Sequence, residues 1–203
     1  MKLVSTPRTD FLRTLAAEIM HNYGRGRTIV AVDGTDASGR ADFADQLAEV
    51  LREDARHVFR ASMRHFQRAG NEQDFSEPDP QLRLYRSGFD DSALRRVLVE
   101  PFRLGGSAGF VLKQRDPQSG EWIQPSWHTA PHDAVLILDG EFVNRPDVHD
   151  LWSYSVLLET TGTAAQTPAE TAYLVEVSPR DVVTAVIDNT DPAAPLRRFL
   201  DRC

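Results

Sequence analysis

The chain has 203 residues, a length that suits one domain and lets folding bury about 70% of the unfolded surface. Hydrophobic residues make up 41% and charged residues 26%, which is the composition of a globular protein and not of a disordered one. The net charge of −7 disfavours nucleic-acid backbones as partners. The longest apolar runs are about five residues, whereas a membrane-spanning helix needs about 20, so no membrane partner is expected. We expect one domain over 1–203.

Two features at the chain ends bear on location. Cys203 is the only cysteine, so no intrachain disulfide can form. The first ten residues lack the apolar core of a signal peptide. Both features fit a cytoplasmic protein, which is the expectation.

Hydrophobic periodicity predicts helices and strands that alternate along the chain. In chain order the predicted elements are a helix over 10–23, a strand over 28–32, a helix over 40–52, a strand over 57–62, a helix from Asp90 or Asp91 to about Val99 that stops before Pro101, a β-hairpin with arms at 110–114 and 121–124, strands over 134–138 and 154–159, a helix from Pro168, and a strand over 183–188. This alternation indicates an α/β fold with a parallel sheet, helices on both faces and one antiparallel hairpin insertion.

The segment 34–41 between the first strand and its helix has the glycine spacing of a phosphate-binding loop (P-loop). In G-x-x-x-x-G-K-[ST], the glycines let backbone N–H groups surround phosphates, the lysine neutralises them, and the hydroxyl ligates magnesium. Here Gly34 and Gly39 stand five apart, but Arg40 replaces the lysine and Ala41 the hydroxyl. The candidate cofactor-binding residues of this segment are Gly34, Asp36, Ala37, Ser38, Gly39, Arg40 and Ala41.

The stretch TIVAVDGTDASGRADFADQLAEVLRE resembles the opening of the uridine kinases and related small-molecule kinases of the P-loop class. Four further blocks resemble the same family in order: HVFRASMRHF, LYRSGFDDSALRRVL, AVLILDGEFVNRPDVHDLW and YLVEVSPRDVVTAVIDNTDP. The resemblance covers nearly the whole chain and implies a three-layer fold with five parallel strands in the order 2-3-1-4-5. It also implies ATP and magnesium as cofactors and phosphoryl transfer to a small-molecule hydroxyl.

Matching positions to the family assigns further candidate residues. Asp139 matches an acid that helps to hold magnesium, although a strand-end aspartate that caps the next turn fits as well. Glu141 is a candidate second acid. Asn189 and Thr190 match a loop near the adenine, and the substrate side is represented by His65, Arg86, Asp90 and Glu141.

The departures from the family fall on catalytic positions. Arg64 stands where the family has the aspartate that accepts the substrate proton, and His65 stands at the next acidic position. The arginine-bearing lid of active members corresponds here to a short segment, 159–172, without a basic residue. Loss of a general base alone typically costs 10²–10⁴ in rate, so ordinary kinase turnover of about 1–100 s⁻¹ is not expected.

Three hypotheses follow from the sequence. The first is a catalytically degenerate member that binds a nucleotide, a nucleoside or a phosphorylated small molecule. The second is an active but divergent ATP-dependent kinase in which Arg40 is the phosphate cation and Asp139 anchors magnesium. The third is a protein-interaction module without a ligand in this site. For the first, we expect the helix that starts near Arg40 to present free N–H groups to the loop, where an anion is held mainly by the backbone.

Overall fold

The computed structural model describes residues 2–162 and 166–199. Its strands are β1 Thr28–Asp33, β2 Val58–Ser62, β3 Phe110–Val111, β4 Trp127–His128, β5 Val135–Gly140, β6 Tyr154–Glu159, β7 Ala185–Asp188 and β8 Leu196–Arg198. Its α-helices are α1 Pro7–Tyr23, α2 Arg40–Glu53, α3 Pro80–Ser87, α4 Asp91–Leu94, α5 Glu100–Leu104, α6 Pro168–Val177 and α7 Pro179–Val182. Cys203 and part of the predicted short lid, 163–165, lie outside the described residues.

The central sheet has the order β2-β5-β1-β6-β7-β8. Its first five strands are parallel, which confirms the predicted order 2-3-1-4-5 when those strands alone are numbered along the chain. The predicted total of five was wrong, because β8 adds a sixth strand that runs antiparallel to β7. This strand has three residues and two arginines, so it lacks the apolar run that marks the buried strands.

Two apolar clusters cover the two faces of the sheet, as expected for strands buried on both sides. Val30 and Val32 of β1 pack toward α1 and α2, in a cluster with Leu12 and Phe43. The alternate side chains of β1 face a second cluster, whose members include Leu98, Phe102, Phe110 and Tyr173. Within the described residues, no helix combines the length and the apolar character needed to cross a bilayer.

The helix predicted to stop before Pro101 continues past it. A π-helical turn over Arg95–Val99 joins α4 to α5, and Pro101 lies in the first turn of α5. The N–H of Glu100 bonds to the carbonyl of Arg95, five residues back. Proline is tolerated in a first helical turn because its missing N–H would have no acceptor there. The wider turn therefore restarts the helix at the position where proline would otherwise end it.

The predicted hairpin forms at its tip, where the N–H of Ile123 bonds to Gln114 O at 2.9 Å, but it is longer than expected. β3 pairs with β4, so Phe110 lies opposite His128 and the excursion extends beyond 121–124. An isolated bridge between Arg115 and Trp122 closes its tip. We call residues 110–128 the insertion. The turn residues around Gly120 showed where the chain reverses, but the arms are too short for their pairing to be read from hydrophobic alternation.

Candidate functional site

A cleft of about 540 Å³ lies at the carboxyl ends of β1, β2 and β5. Open α/β sheets bind ligands at this edge. The start of α2, the end of β2 with the turn after it, and the insertion all contribute to its walls. The charged side chains that line it include Asp36, Arg40, Arg60, Arg64, Lys113 and Asp139. The cleft therefore brings together the three residues predicted to be catalytic, namely Arg40, Arg64 and Asp139.

The loop between β1 and α2 uses part of its own backbone hydrogen-bonding capacity. Asp36–Ser38 form a single 3₁₀ turn, in which the N–H of Ser38 bonds to Thr35 O and the N–H of Gly39 bonds to Asp36 O. The N–H of Gly34 donates to Asp33 Oδ1 at 2.8 Å. These three N–H groups are therefore not free to hold an anion. The first-turn N–H groups of α2 lack intrahelical acceptors, as in any helix.

Gly34 has a φ of 148°, and a Cβ there would lie 2.4 Å from Ser38 Oγ and 3.0 Å from Leu158 O. Gly34→Ala should therefore destabilise the fold. Gly26→Ala is the matched control, because Gly26 has a φ of 153° and a Cβ added there would meet no atom within 4 Å. We expect Gly34→Ala to lower the free energy of unfolding by about 1–3 kcal/mol more than Gly26→Ala does, as for other overpacked sites. Chemical denaturation measures the difference, and equal losses would refute the close approach.

The side chain of Arg40 is committed to protein partners and is 4% exposed. Its guanidinium donates to Gly34 O at 3.0 Å, pairs with Asp36 Oδ1 at 2.6 Å and reaches Glu141 Oε1 at 3.4 Å. Its Nε lies 3.8 Å from Asp139 Oδ2 and makes no hydrogen bond to the described residues. Burial raises the pKa of Glu141, and the charge of Arg40 opposes that shift. Arg40 thus neutralises carboxylates at the position where the P-loop lysine would neutralise phosphates.

Asp139 is also paired, and its surroundings do not fit a magnesium ion. Asp139 Oδ1 accepts from the guanidinium of Arg60 at 2.9 Å, and Asp139 Oδ2 accepts from Ser62 Oγ at 3.2 Å. Arg40 Nε approaches the same carboxylate. Two guanidinium groups repel a divalent cation, and Ala41 offers only a methyl group where a P-loop supplies a hydroxyl ligand. No cluster of three metal-binding side chains occurs in 2–162 and 166–199.

Behind the loop, Asp33 is buried and accepts four hydrogen bonds. Its Oδ1 accepts from the N–H groups of Gly34 and Phe142 at 2.8 and 3.1 Å. Its Oδ2 accepts from the amide of Asn144 at 2.6 Å and from the hydroxyl of Tyr173. Burial raises the pKa of Asp33, and the bonds from Tyr173, Asn144 and Gly34 oppose that shift. The carboxyl group therefore ties the loop to the turn after β5 and to α6.

The two candidates for the adenine side, Asn189 and Thr190, form hydrogen bonds to other residues of the protein. Asn189 is buried, donates from Nδ2 to Ser38 O at 2.7 Å and accepts from Arg8 at 3.3 Å, so it supports the loop from behind. Thr190 is exposed and bonds to the backbone N–H of Thr161 at 2.7 Å. Neither residue lines the cleft. Their assignment to a nucleotide stays a prediction.

Of the substrate-side candidates, only His65 lines the described part of the cleft. His65 lines the cleft, and its Nδ1 lies 2.8 Å from Arg115 O of the insertion. Arg86 pairs with Glu176 of α6 at 3.0 Å. Asp90 caps α4 by accepting from the N–H of Ala93 at 2.9 Å. Arg86 and Asp90 do not line the cleft. Arg86 joins two helices, and Asp90 caps one.

Sequence reasoning missed three residues of this region. Arg60 lies within a predicted strand to which no site residue was assigned, and Lys113 lies in an insertion arm with no motif around it. Asp33 precedes the glycine loop, but the sequence offers no sign of its four hydrogen-bond donors. Each depends on contacts between segments far apart in the chain, and no local pattern records those contacts.

The parallel sheet in the order described, with a glycine-bounded loop leading from its central strand into a helix, is an open α/β fold. A possible uridine kinase from Bacillus stearothermophilus has this fold with a TM-score of 0.71 at 20% identity, over 88% of this chain and 96% of that one. The YGR205w protein matches with a TM-score of 0.60 at 14% identity, over 98% of this chain and 100% of that one. No protein-family model and no curated protein matches the sequence. At these identities, the likeness establishes the fold alone.

Proposed function

We propose that this chain is a P-loop kinase-like protein that binds a phosphate-bearing small molecule or nucleotide in the cleft without transferring the phosphoryl group. The observation that carries the proposal is that Arg40 and Asp139 are each already paired with other residues of the protein. The two groups that would neutralise phosphate and anchor magnesium are bound to Asp36, Glu141 and Arg60. Neither is available for transfer as long as these pairs persist.

The missing base supports the same conclusion. Phosphoryl transfer needs a group that orients the nucleophile and accepts its proton. Arg64 stands at that position, pairs with Asp36 and cannot act as a base at neutral pH. Losing a base costs about 10²–10⁴ in rate and losing one charge-stabilising group costs about 10²–10³. These losses are not additive, but either one removes ordinary turnover.

Binding is supported by what remains. The first turn of α2 presents its N–H groups and the positive end of the helix dipole, which favour an anion. Arg64 is 49% exposed on the wall of the cleft, so its pair with Asp36 is open to solvent and weak. A phosphate can compete for a cation in such a pair far more readily than for the buried Arg40.

The proposal is tested by assaying ADP formation from ATP with a panel of nucleosides and sugars. We expect no turnover above background with freshly purified protein. Several turnovers per second that Arg40→Ala abolishes would instead establish the divergent kinase, in which Arg40 leaves its carboxylates to bind phosphate. A parallel thermal-shift measurement with ATP shows whether the protein binds ATP. No stabilisation by ATP or by phosphate would favour an interaction module.

A further inference from the structure

Lys113 lies on the wall of the cleft although it belongs to the insertion and not to the sheet. It is exposed, and it makes no hydrogen bond or ion pair with any residue of 2–162 and 166–199. The other cations of the cleft are paired: Arg40 and Arg64 with Asp36, and Arg60 with Asp45 and Asp139. Among the described lysine and arginine side chains that line the cleft, Lys113 alone has no carboxylate partner.

The backbone near Lys113 is held in place. Arg115 and His65 exchange two contacts: the N–H of Arg115 bonds to His65 O at 3.0 Å, and His65 Nδ1 lies 2.8 Å from Arg115 O. The guanidinium of Arg115 is 2.8 Å from Glu72 and lies 4.0 Å from the ring centroid of Trp122. Lys113 is therefore an exposed side chain on an anchored segment of the insertion, which suits a cation that binds a ligand.

The described lining of the cleft is poor in aromatic side chains on which a nucleobase could stack. The imidazole of His65 is the one ring along its described lining, and its Nδ1 is already bonded to the insertion. The nearby aromatic side chains of Tyr85, Phe142 and Tyr173 pack on one another with centroids 5.1–6.0 Å apart. All three are buried in the core. A ligand in the cleft would meet charged and small side chains instead.

We propose that Lys113 is the phosphate-binding cation of this cleft and that the ligand is a small phosphate ester without an aromatic base. The proposal deepens the function proposed above and rests on it. Lys113 can bind the phosphate where Arg40 cannot, because its ammonium group has no ion-pair partner and has three donors for phosphate oxygens. The polar lining then selects a sugar-like or acid-like ester over a nucleoside.

Calorimetric titration with ribose 5-phosphate tests the role of Lys113. We expect Lys113→Gln to weaken binding about tenfold, because one charge-assisted contact between an ammonium and a phosphate is lost. Lys2→Gln is the matched control, since it removes the other lysine of the chain, whose charge acts near Glu53 at the far end of α2. This control should bind as the unmodified protein does. Lys113 is exposed, so its replacement should not affect folding.

The outcomes separate this proposal from the one on which it rests. Equal binding by the unmodified protein and Lys113→Gln would overturn the role of Lys113 and leave a phosphate-binding cleft. No binding of inorganic phosphate, ribose 5-phosphate or ATP by the unmodified protein would overturn both. Uridine 5′-monophosphate should bind no more tightly than ribose 5-phosphate. Tenfold tighter binding of the nucleotide, or binding of uridine alone, would overturn the assigned ligand class.

Discussion

Asp33→Ala should lower the free energy of unfolding by about 3–5 kcal/mol, because four buried hydrogen-bond donors lose their common acceptor. The variant leaves the N–H groups of Gly34 and Phe142, the amide of Asn144 and the hydroxyl of Tyr173 without their acceptor. Each buried donor without a partner costs about 1–3 kcal/mol unless water replaces the lost oxygen. Urea denaturation followed by circular dichroism measures the loss.

Tyr173→Phe provides the graded comparison. It removes one of the four donors and the oxygen that accepts from the Asn144 N–H at 3.3 Å, but the carboxylate keeps its other three donors, so we expect a loss of about 1–2 kcal/mol. If Asp33→Ala cost no more than Tyr173→Phe, the carboxyl group would not be the centre of this network. The link it makes between the loop, the turn after β5 and α6 would then be incidental.

Asp36→Asn should tighten the binding of ribose 5-phosphate about three- to tenfold. The carboxylate of Asp36 lies within the loop and pairs with both Arg40 and Arg64. Its removal frees Arg64 for the ligand and deletes a negative charge beside the phosphate. Asp36 is 62% exposed, so the gain is well below the several kcal/mol that two charges 4 Å apart would have at an intermediate dielectric constant.

Glu49→Gln is the matched control for Asp36→Asn, because it removes the same charge from the exposed surface of α2, where Glu49 pairs with Arg52. We expect no change in affinity for Glu49→Gln beyond the small effect of net charge, which salt screens. Weaker binding by Asp36→Asn would show that Asp36 orders the cations of the cleft and does not merely compete with the ligand.

The fold was predictable because its signals are local. A buried apolar strand, a loop with glycines five apart and an amphipathic helix follow one another within 28–53, and the structure confirms all three. The capping box of Thr167 and Glu170 is equally local, since each side chain accepts from the other residue's N–H. Such patterns need only a few neighbouring residues, so the sequence records them directly.

The candidate site was predictable in position but not in its pairings. Gly34, Arg40 and Asp139 were placed at one edge of the sheet by the order of the strands. The sequence could not show that Arg40 folds back onto Gly34 O and Asp36, because the choice between ligand and carboxylate is made by side chains far apart in the chain. It showed even less of Lys113, which enters the cleft only through the packing of the insertion.

The most direct test of a phosphate cleft without a magnesium site is the dissociation constant of ATP, measured by calorimetry with and without magnesium. The side chains at Ala41 and Asp139 predict measurable binding whose affinity changes less than threefold when magnesium is added. Tenfold or greater tightening, about 1.4 kcal/mol, would contradict this account. It would show that Asp139 leaves Arg60 to hold the metal, and the divergent kinase would become the better description.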